Sequence, residues 1–198
     1  VQINCGSGMQ SIDTAYRYIE NGNADLILAG GAEALSHAPL LFRRRAVDWF
    51  ARLLTARSVW AKAAALKDLR PGFFKPVIGL ERGLTDPIVG LNMGQTAEVL
   101  AHLFDVSRQA ADAYAVESHL RLARAQEQGW LDEEVIPLVA DDGSLYAQDD
   151  GVRPDSSVEK LAALRPVFER PHGKVTAGNS SQITDGASWV ILASEAAL

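Results

Sequence analysis

The sequence predicts an α/β fold. Three observations carry that prediction. Residues 1–31 read as strand, helix, strand. Ala187 to Ala193 is a short apolar run suited to a buried strand. The residues between them hold helical patterns with start and stop signals of their own.

The elements follow in order. Val1-Gln2-Ile3-Asn4 is the first expected strand, and a helix is expected after Gly6-Ser7-Gly8. Ser7 and Gln10 have the spacing of a capping box. Met9, Ile12, Tyr16 and Ile19 recur at three and four residues, which is one helical face. Asn21-Gly22 supplies the stop. Ala24 to Ala29 is the second expected strand, ended by Gly30-Gly31. A strand-helix-strand crossover within one sheet implies parallel strands and right-handed winding. A long excursion is expected over 36–174. Its helices run from Gly94 to Phe104, from Ser107 to Gly129, and from Ser156, where Glu159 suggests a second capping box. Val135 to Val139 reads as extended, with Asp142-Gly143 as a turn. Residues 175–198 return to the sheet, with Asp185-Gly186 as a turn before the last strand. The expected domain limits are therefore 1–35, 36–174 and 175–198.

Composition narrows the function classes. A chain of 198 residues accommodates one or two domains, and an apolar content of 47% is enough for a core. The net charge of −6 argues against general nucleic-acid binding. A single cysteine rules out an internal disulfide and fits a reducing compartment. No apolar run approaches a membrane span. There is no Cys/His cluster with metal spacing and no phosphate-binding glycine fingerprint.

That cysteine, Cys5, sits where the first expected strand meets the first helix. A thiol there feels the positive end of the helix dipole, which favours the nucleophilic thiolate. A lone cysteine is more often a small buried hydrophobe. Gly6 and Gly8 argue the other way, because they leave the thiol approachable, although each also serves a turn. The combination suits acyl transfer through a thioester.

Residues 40–67 stand apart. They carry seven basic residues (Arg43, Arg44, Arg45, Arg52, Arg57, Lys62, Lys67) and one acid, Asp48, a local charge of +6 that leaves −12 for the rest. Phe42, Ala46, Trp49 and Leu53 fall at helical spacing. A basic amphipathic helix with tryptophans fits an interfacial membrane or partner surface. An ordinary surface helix packed on its own domain fits equally well.

Asn4-Cys5-Gly6-Ser7-Gly8-Met9-Gln10, followed by the stretch from Leu28 to Ser36, resembles the nucleophile block and next strand of the thiolases. Further blocks follow in family order over nearly the whole chain. They are Met93-Gly94-Gln95-Thr96-Ala97-Glu98, then Val106-Ser107-Arg108 with Asp112, Tyr114-Ala115, Ser118 and Ala125, then Leu164-Arg165-Pro166-Val167-Phe168, Val175-Thr176-Ala177-Gly178-Asn179-Ser180-Ser181 and Asp185-Gly186-Ala187-Ser188. The basic insert after Pro39, Asp150-Gly151-Val152-Arg153-Pro154 and Arg170-Pro171-His172-Gly173 look most like the β-subunit type of the fatty-acid oxidation complex. The nucleophile block is closer to the general thiolase form.

The resemblance implies a thiolase fold, layered α/β/α/β/α when complete. This chain would supply part of its N-terminal half plus the loop domain that covers coenzyme A. It implies an acetyl-CoA C-acyltransferase (3-ketoacyl-CoA thiolase) of β-oxidation with Cys5 as nucleophile. By the same resemblance Arg153, Phe168, Ala177 and Ser181 contact coenzyme A, and Met93 lines the acyl pocket. Coenzyme A and acyl-CoA enter as substrates, with no tightly bound cofactor and no metal. The implied partners are a second copy in a homodimer or tetramer, an α subunit of a β-oxidation complex, and a membrane touched through 40–67. The implied compartment is the bacterial cytoplasm, or an organelle in a eukaryote. The family's second half should bring an Asn- or His-Glu-Ala-Phe block, a Gly-His-Pro histidine and a second cysteine. None of His37, His102, His119 and His172 has that context, so the chain is expected to be an incomplete portion, inactive alone. Two alternatives stand beside this reading: a biosynthetic acetoacetyl-CoA thiolase, and a non-catalytic module that binds a partner or membrane. Asn92, where many short-chain thiolases have histidine, argues against the first. The blocks around Met93 and Thr176 argue against a ketoacyl synthase.

Overall fold

The computed structural model describes Val1–Leu198. The chain forms two compact units, one of Val1–Thr85 with Ile183–Leu198 and one of Asp86–Gln182. These limits lie after residues 85 and 182, whereas the expected ones lie after 35 and 174.

In the first unit Val1–Asn4 is not a strand. No other strand pairs with it, and the backbone turns at Asn4, whose φ is 52°. A 3-10 turn, Asn4–Gly6, runs directly into α1, Ser7–Glu20. Ser7 is already helical and makes no capping box. Its Oγ accepts the Ile3 N–H at 2.9 Å and lies 2.8 Å from the Asn4 carbonyl, fastening the lead-in. Gln10 turns to Asp13 instead, at 3.2 Å. Asn21 and Gly22, with φ 69°, close the helix as expected. β1, Leu26–Ala34, passes straight through Gly30-Gly31, so the glycines do not stop the strand.

The basic segment is a helical hairpin rather than one helix. β2, Leu40–Leu41, leads into α2, Arg44–Thr55, and Ser58 caps α3, Val59–Lys67, by accepting the Ala61 N–H at 3.1 Å. The apolar stripe, for which a membrane or partner surface and packing on its own domain fitted equally, is turned inward at its centre. Ala46 is fully buried and Trp49 only 4% exposed. Trp49 Nε1 donates to the Ala65 carbonyl at 2.7 Å, and its ring meets Phe50 edge-on at 4.8 Å and Phe73 at 6.2 Å. β3, Val77–Ile78, pairs antiparallel with β2 and is followed by α4, Gly79–Gly83.

The second unit opens with α5, Met93–Leu103. Asn92 and Gln95 form a true capping box, each side chain taking the other's backbone N–H, at 2.9 and 3.0 Å. α6, Arg108–Glu127, is capped by Ser107 and followed by Gly129 at φ 69°. β4, Leu138–Val139, and β5, Leu145–Tyr146, make a short hairpin around Gly143, φ 83°. The cap of α7, Val158–Ala162, is Ser157, which accepts the Lys160 N–H. The expected Ser156–Glu159 box therefore does not form, because the helix starts one residue later.

The chain then returns to the first unit as β6, Asp185–Ala193. Asp185 and Gly186 belong to this strand rather than to a turn. β6 pairs antiparallel with β1, Leu26 opposite Ala193 and Ala34 opposite Asp185. The expected parallel crossover is absent because β1's neighbour is β6, not residues 1–4. At Gly30 a Cβ would press on the Ser188 carbonyl and come within 2.7 Å of the Trp189 ring, so the glycine is there for close approach. No helix is long and apolar enough to cross a membrane.

Candidate active site and ligand cavity

Cys5 is an exposed free thiol in the 3-10 turn just ahead of α1. The strained residue is its neighbour Asn4, held at positive φ, which costs a non-glycine residue about 1–2 kcal/mol. A Cβ on Gly8 would meet nothing within 4 Å, and one on Gly6 only the Ile3 side chain at 3.3 Å. The thiol is exposed, and the space around Gly8 is open.

The second unit holds a cavity of about 350 Å³. Arg153, Lys160 and His119 supply cationic and polar groups, and Leu161, Leu164 and Ala177 supply apolar surface. His119, on α6, accepts the Arg153 backbone N–H on Nδ1 at 3.2 Å, which puts any ring proton of the neutral form on Nε2. Lys160 Nζ donates to the Asp155 carbonyl and carboxylate, both at 2.6 Å. The hydrogen bond from Lys160, then its charge, holds the Asp155 carboxyl below the usual carboxylate range, with Arg153 adding a smaller pull. Gln182 Nε2 donates to the Gly151 carbonyl at 2.7 Å and so ties the Arg153 segment to the end of the 175–181 loop.

That loop is fixed by buried charge. Glu98, on α5, is fully buried and accepts the N–H of Lys174 at 2.8 Å and of Val175 at 2.9 Å. Lys174 Nζ donates to the Ala101 carbonyl at 2.9 Å. Asn179 Oδ1 accepts the Thr176 N–H at 2.8 Å, and its Nδ2 donates to Asp112 Oδ1 and to the Lys174 carbonyl, both at 2.9 Å. A buried carboxylate surrounded by N–H donors is satisfied and rigidifying.

Of the residues singled out from sequence, Arg153 and Ala177 line this one cavity. Ser181 is exposed between two lining residues, Ser180 and Gln182. Phe168 is half-buried, its ring packed where a side chain on Gly94 would otherwise lie. Met93 is exposed at the start of α5. Cys5 belongs to the first unit. Sequence reasoning missed His119, Lys160 and Leu161. Only Lys160 had a local signal, as a charge beside Asp155, since His119 reaches Arg153 from 34 residues away.

Residues 1–196 match the family model described as "Thiolase, N-terminal domain". The chain belongs to the thiolase family. Its relatives include a probable acetyl-CoA acyltransferase of Staphylococcus epidermidis, 35% identical over 200 residues, covering 96% of this chain and 44% of that protein. The mitochondrial trifunctional enzyme subunit beta of Bos taurus is 35% identical over 195 residues, covering 98% of this chain and 40% of its own length. The crystal structure of human mitochondrial 3-ketoacyl-CoA thiolase in complex with CoA superposes with a TM-score of 0.75 at 33% identity, over 98% of this chain and 44% of that one. This thiolase chain thus spans less than half the length of these relatives. The expected thiolase fold is the fold observed.

Proposed function

We propose that this chain provides the nucleophilic cysteine and the coenzyme A cavity of an acetyl-CoA C-acyltransferase that cleaves 3-ketoacyl-CoA in fatty-acid β-oxidation. The observation that carries the reading is Cys5, exposed at the entrance of α1 behind a strained Asn4, in a thiolase chain. The Cys5 thiolate attacks the ketone carbon and forms a C–S bond. The bond between the α and β carbons breaks, its electron pair goes to the α carbon, and that carbon takes a proton to leave as acetyl-CoA. The thiol of a second coenzyme A then attacks the thioester, forms the shortened acyl-CoA and returns the Cys5 thiolate. The Cys5 backbone N–H is the proposed donor to the oxyanion of the acyl-enzyme. The proposed base and acid belong to a C-terminal half, as in the family pattern.

The cavity supports the coenzyme A part of the reading. Arg153, His119 and Lys160 suit phosphate, and Leu161, Leu164 and Ala177 suit adenine and pantetheine. Ser181 and Phe168 remain proposed contacts at its edge, and Met93 a proposed acyl-pocket residue. The proposed division of labour is a catalytic core of 1–35 and 175–198, with 36–174 as the loop domain. A homodimer or tetramer, an α subunit, and a cytoplasmic or organellar setting complete the proposal. The test is intact mass before and after brief incubation with a 3-ketoacyl-CoA. This chain alone is proposed to be inactive; with the C-terminal half present, an acyl adduct that is lost in Cys5→Ser is expected. A folded protein with that half present that never forms the adduct overturns the catalytic reading.

A second reading has its own support. At the tip of the α2–α3 hairpin Leu54, Val59 and Trp60 are exposed, Trp60 by 86%, beside exposed Arg57 and Lys62. A basic tip with a tryptophan suits an anionic membrane surface. In liposome flotation with anionic vesicles, Trp60→Ala with Arg57→Glu should lose the membrane. Unchanged flotation removes this reading.

A further inference from the structure

We propose that Asp112 is a positioning residue that sets the spacing between the two walls of the cavity, an inference that rests on reading that cavity as the coenzyme A site. Asp112 lies on α6, is 1% exposed and does not line the cavity. Each of its carboxylate oxygens serves a different wall. Oδ2 accepts from Arg108 Nε at 2.7 Å, and the same guanidinium donates through its NH2 group to the carbonyls of Leu161, at 2.5 Å, and Leu164, at 3.3 Å. Leu161 and Leu164 form one wall. Oδ1 accepts from Asn179 Nδ2 at 2.9 Å. Asn179 in turn fixes Thr176 and Lys174, and so the turn that presents Ala177, Gly178 and Ser180 as the other wall. The walls touch at Gly178, where a Cβ would come within 2.6 Å of Leu164 Cδ1 and 2.9 Å of Leu161 Cγ. Packing thus prevents closer approach, and the Arg108–Asp112–Asn179 chain prevents separation.

A carboxylate is the only side chain of this size that accepts on both sides. In Asp112→Asn one side must present an N–H to a donor, either Arg108 or Asn179, and one wall loses its tether. Arg153 is carried beside the same cavity by His119 of α6, so a displaced wall moves the apolar surface relative to the cationic group.

The test is calorimetric titration of the full chain with coenzyme A, alongside the thermal midpoint and the rate of Cys5 alkylation by iodoacetamide, which reports on the other unit. The wild-type chain is expected to bind. Asp112→Asn should weaken binding about tenfold or more, as expected when a buried donor is left unpaired. Arg108→Lys, which still reaches Asp112 but cannot span both leucine carbonyls, should weaken it less. Thermal cooperativity and Cys5 alkylation should be unchanged in both. Wild-type affinity in both variants overturns the positioning role while leaving the coenzyme A reading intact. Weakened binding accompanied by altered Cys5 alkylation also overturns it, since the residue is then structural for the whole chain. No binding by the wild type overturns the coenzyme A reading first, and this assignment with it.

Discussion

At the scale of single residues, glycines separate the needs of folding from those of chemistry. Gly8 lies in the first turn of α1 in open space and without a positive φ. Folding therefore does not require it, and alanine there should stabilise the helix by about 0.5–1 kcal/mol. Under the catalytic reading, the added methyl crowds the approach to Cys5. Gly8→Ala should thus raise the thermal midpoint while slowing adduct formation; an unslowed adduct would leave Gly8 as turn chemistry only. Gly94 is the reverse case, since any side chain there collides with the Phe168 ring. Gly94→Val should lower the midpoint without touching Cys5 chemistry directly. Cys5 stood out as a candidate in the sequence, because a cysteine between small residues ahead of a helix is a local pattern. His119 was not, because its contact with Arg153 exists only once α6 is folded against residues 151–156.

At the scale of elements, the α2–α3 hairpin depends on one side chain. Trp49 fills the space between α2, α3 and Phe73, and its indole N–H satisfies the Ala65 carbonyl. Trp49→Ala should cost about 3–5 kcal/mol, read as a lower thermal midpoint and faster amide exchange over 44–67. The helical period was visible in the sequence, but its meaning was not. A stripe of Ala46 and Trp49 reads the same whether it meets lipid, a partner or Ala65. The end of the β1–β6 pair carries a pH signature. Asp185 accepts the Ser36 N–H at 2.8 Å and the Ser36 hydroxyl at 2.5 Å. These bonds, the hydroxyl first, hold its carboxyl below the usual carboxylate range. A depressed native pKa gives stability that is fully present above the unfolded value and is lost as pH falls through the lowered one. Acid unfolding of the wild type should show this loss, and Asp185→Asn should remove that part of the pH dependence.

At the scale of the whole molecule, the two units differ in how they are held. The second is braced by buried polar groups, Glu98, Asp112 and Thr176, all with partners. The first contains a sheet of only two long strands. Leu28 and Ile191 are cross-strand partners and both are largely exposed, as are Leu26 and Trp189 on the same face by register. Two strands with an open apolar face are marginal in water. The chain by itself should therefore self-associate at micromolar concentration in sedimentation, and Leu28→Lys with Ile191→Lys should reduce it. Sequence alone determined the family, the Ser107-capped helix α6 and the apolar runs of β1 and β6, because these are written in residues close together along the chain. Tertiary structure alone decided that β1 pairs with β6 rather than with residues 1–4, that the stripe of α2 turns inward, and that two carboxylates hold the wall of the cavity. Each of those depends on residues brought together from distant parts of the chain, which local propensity does not encode.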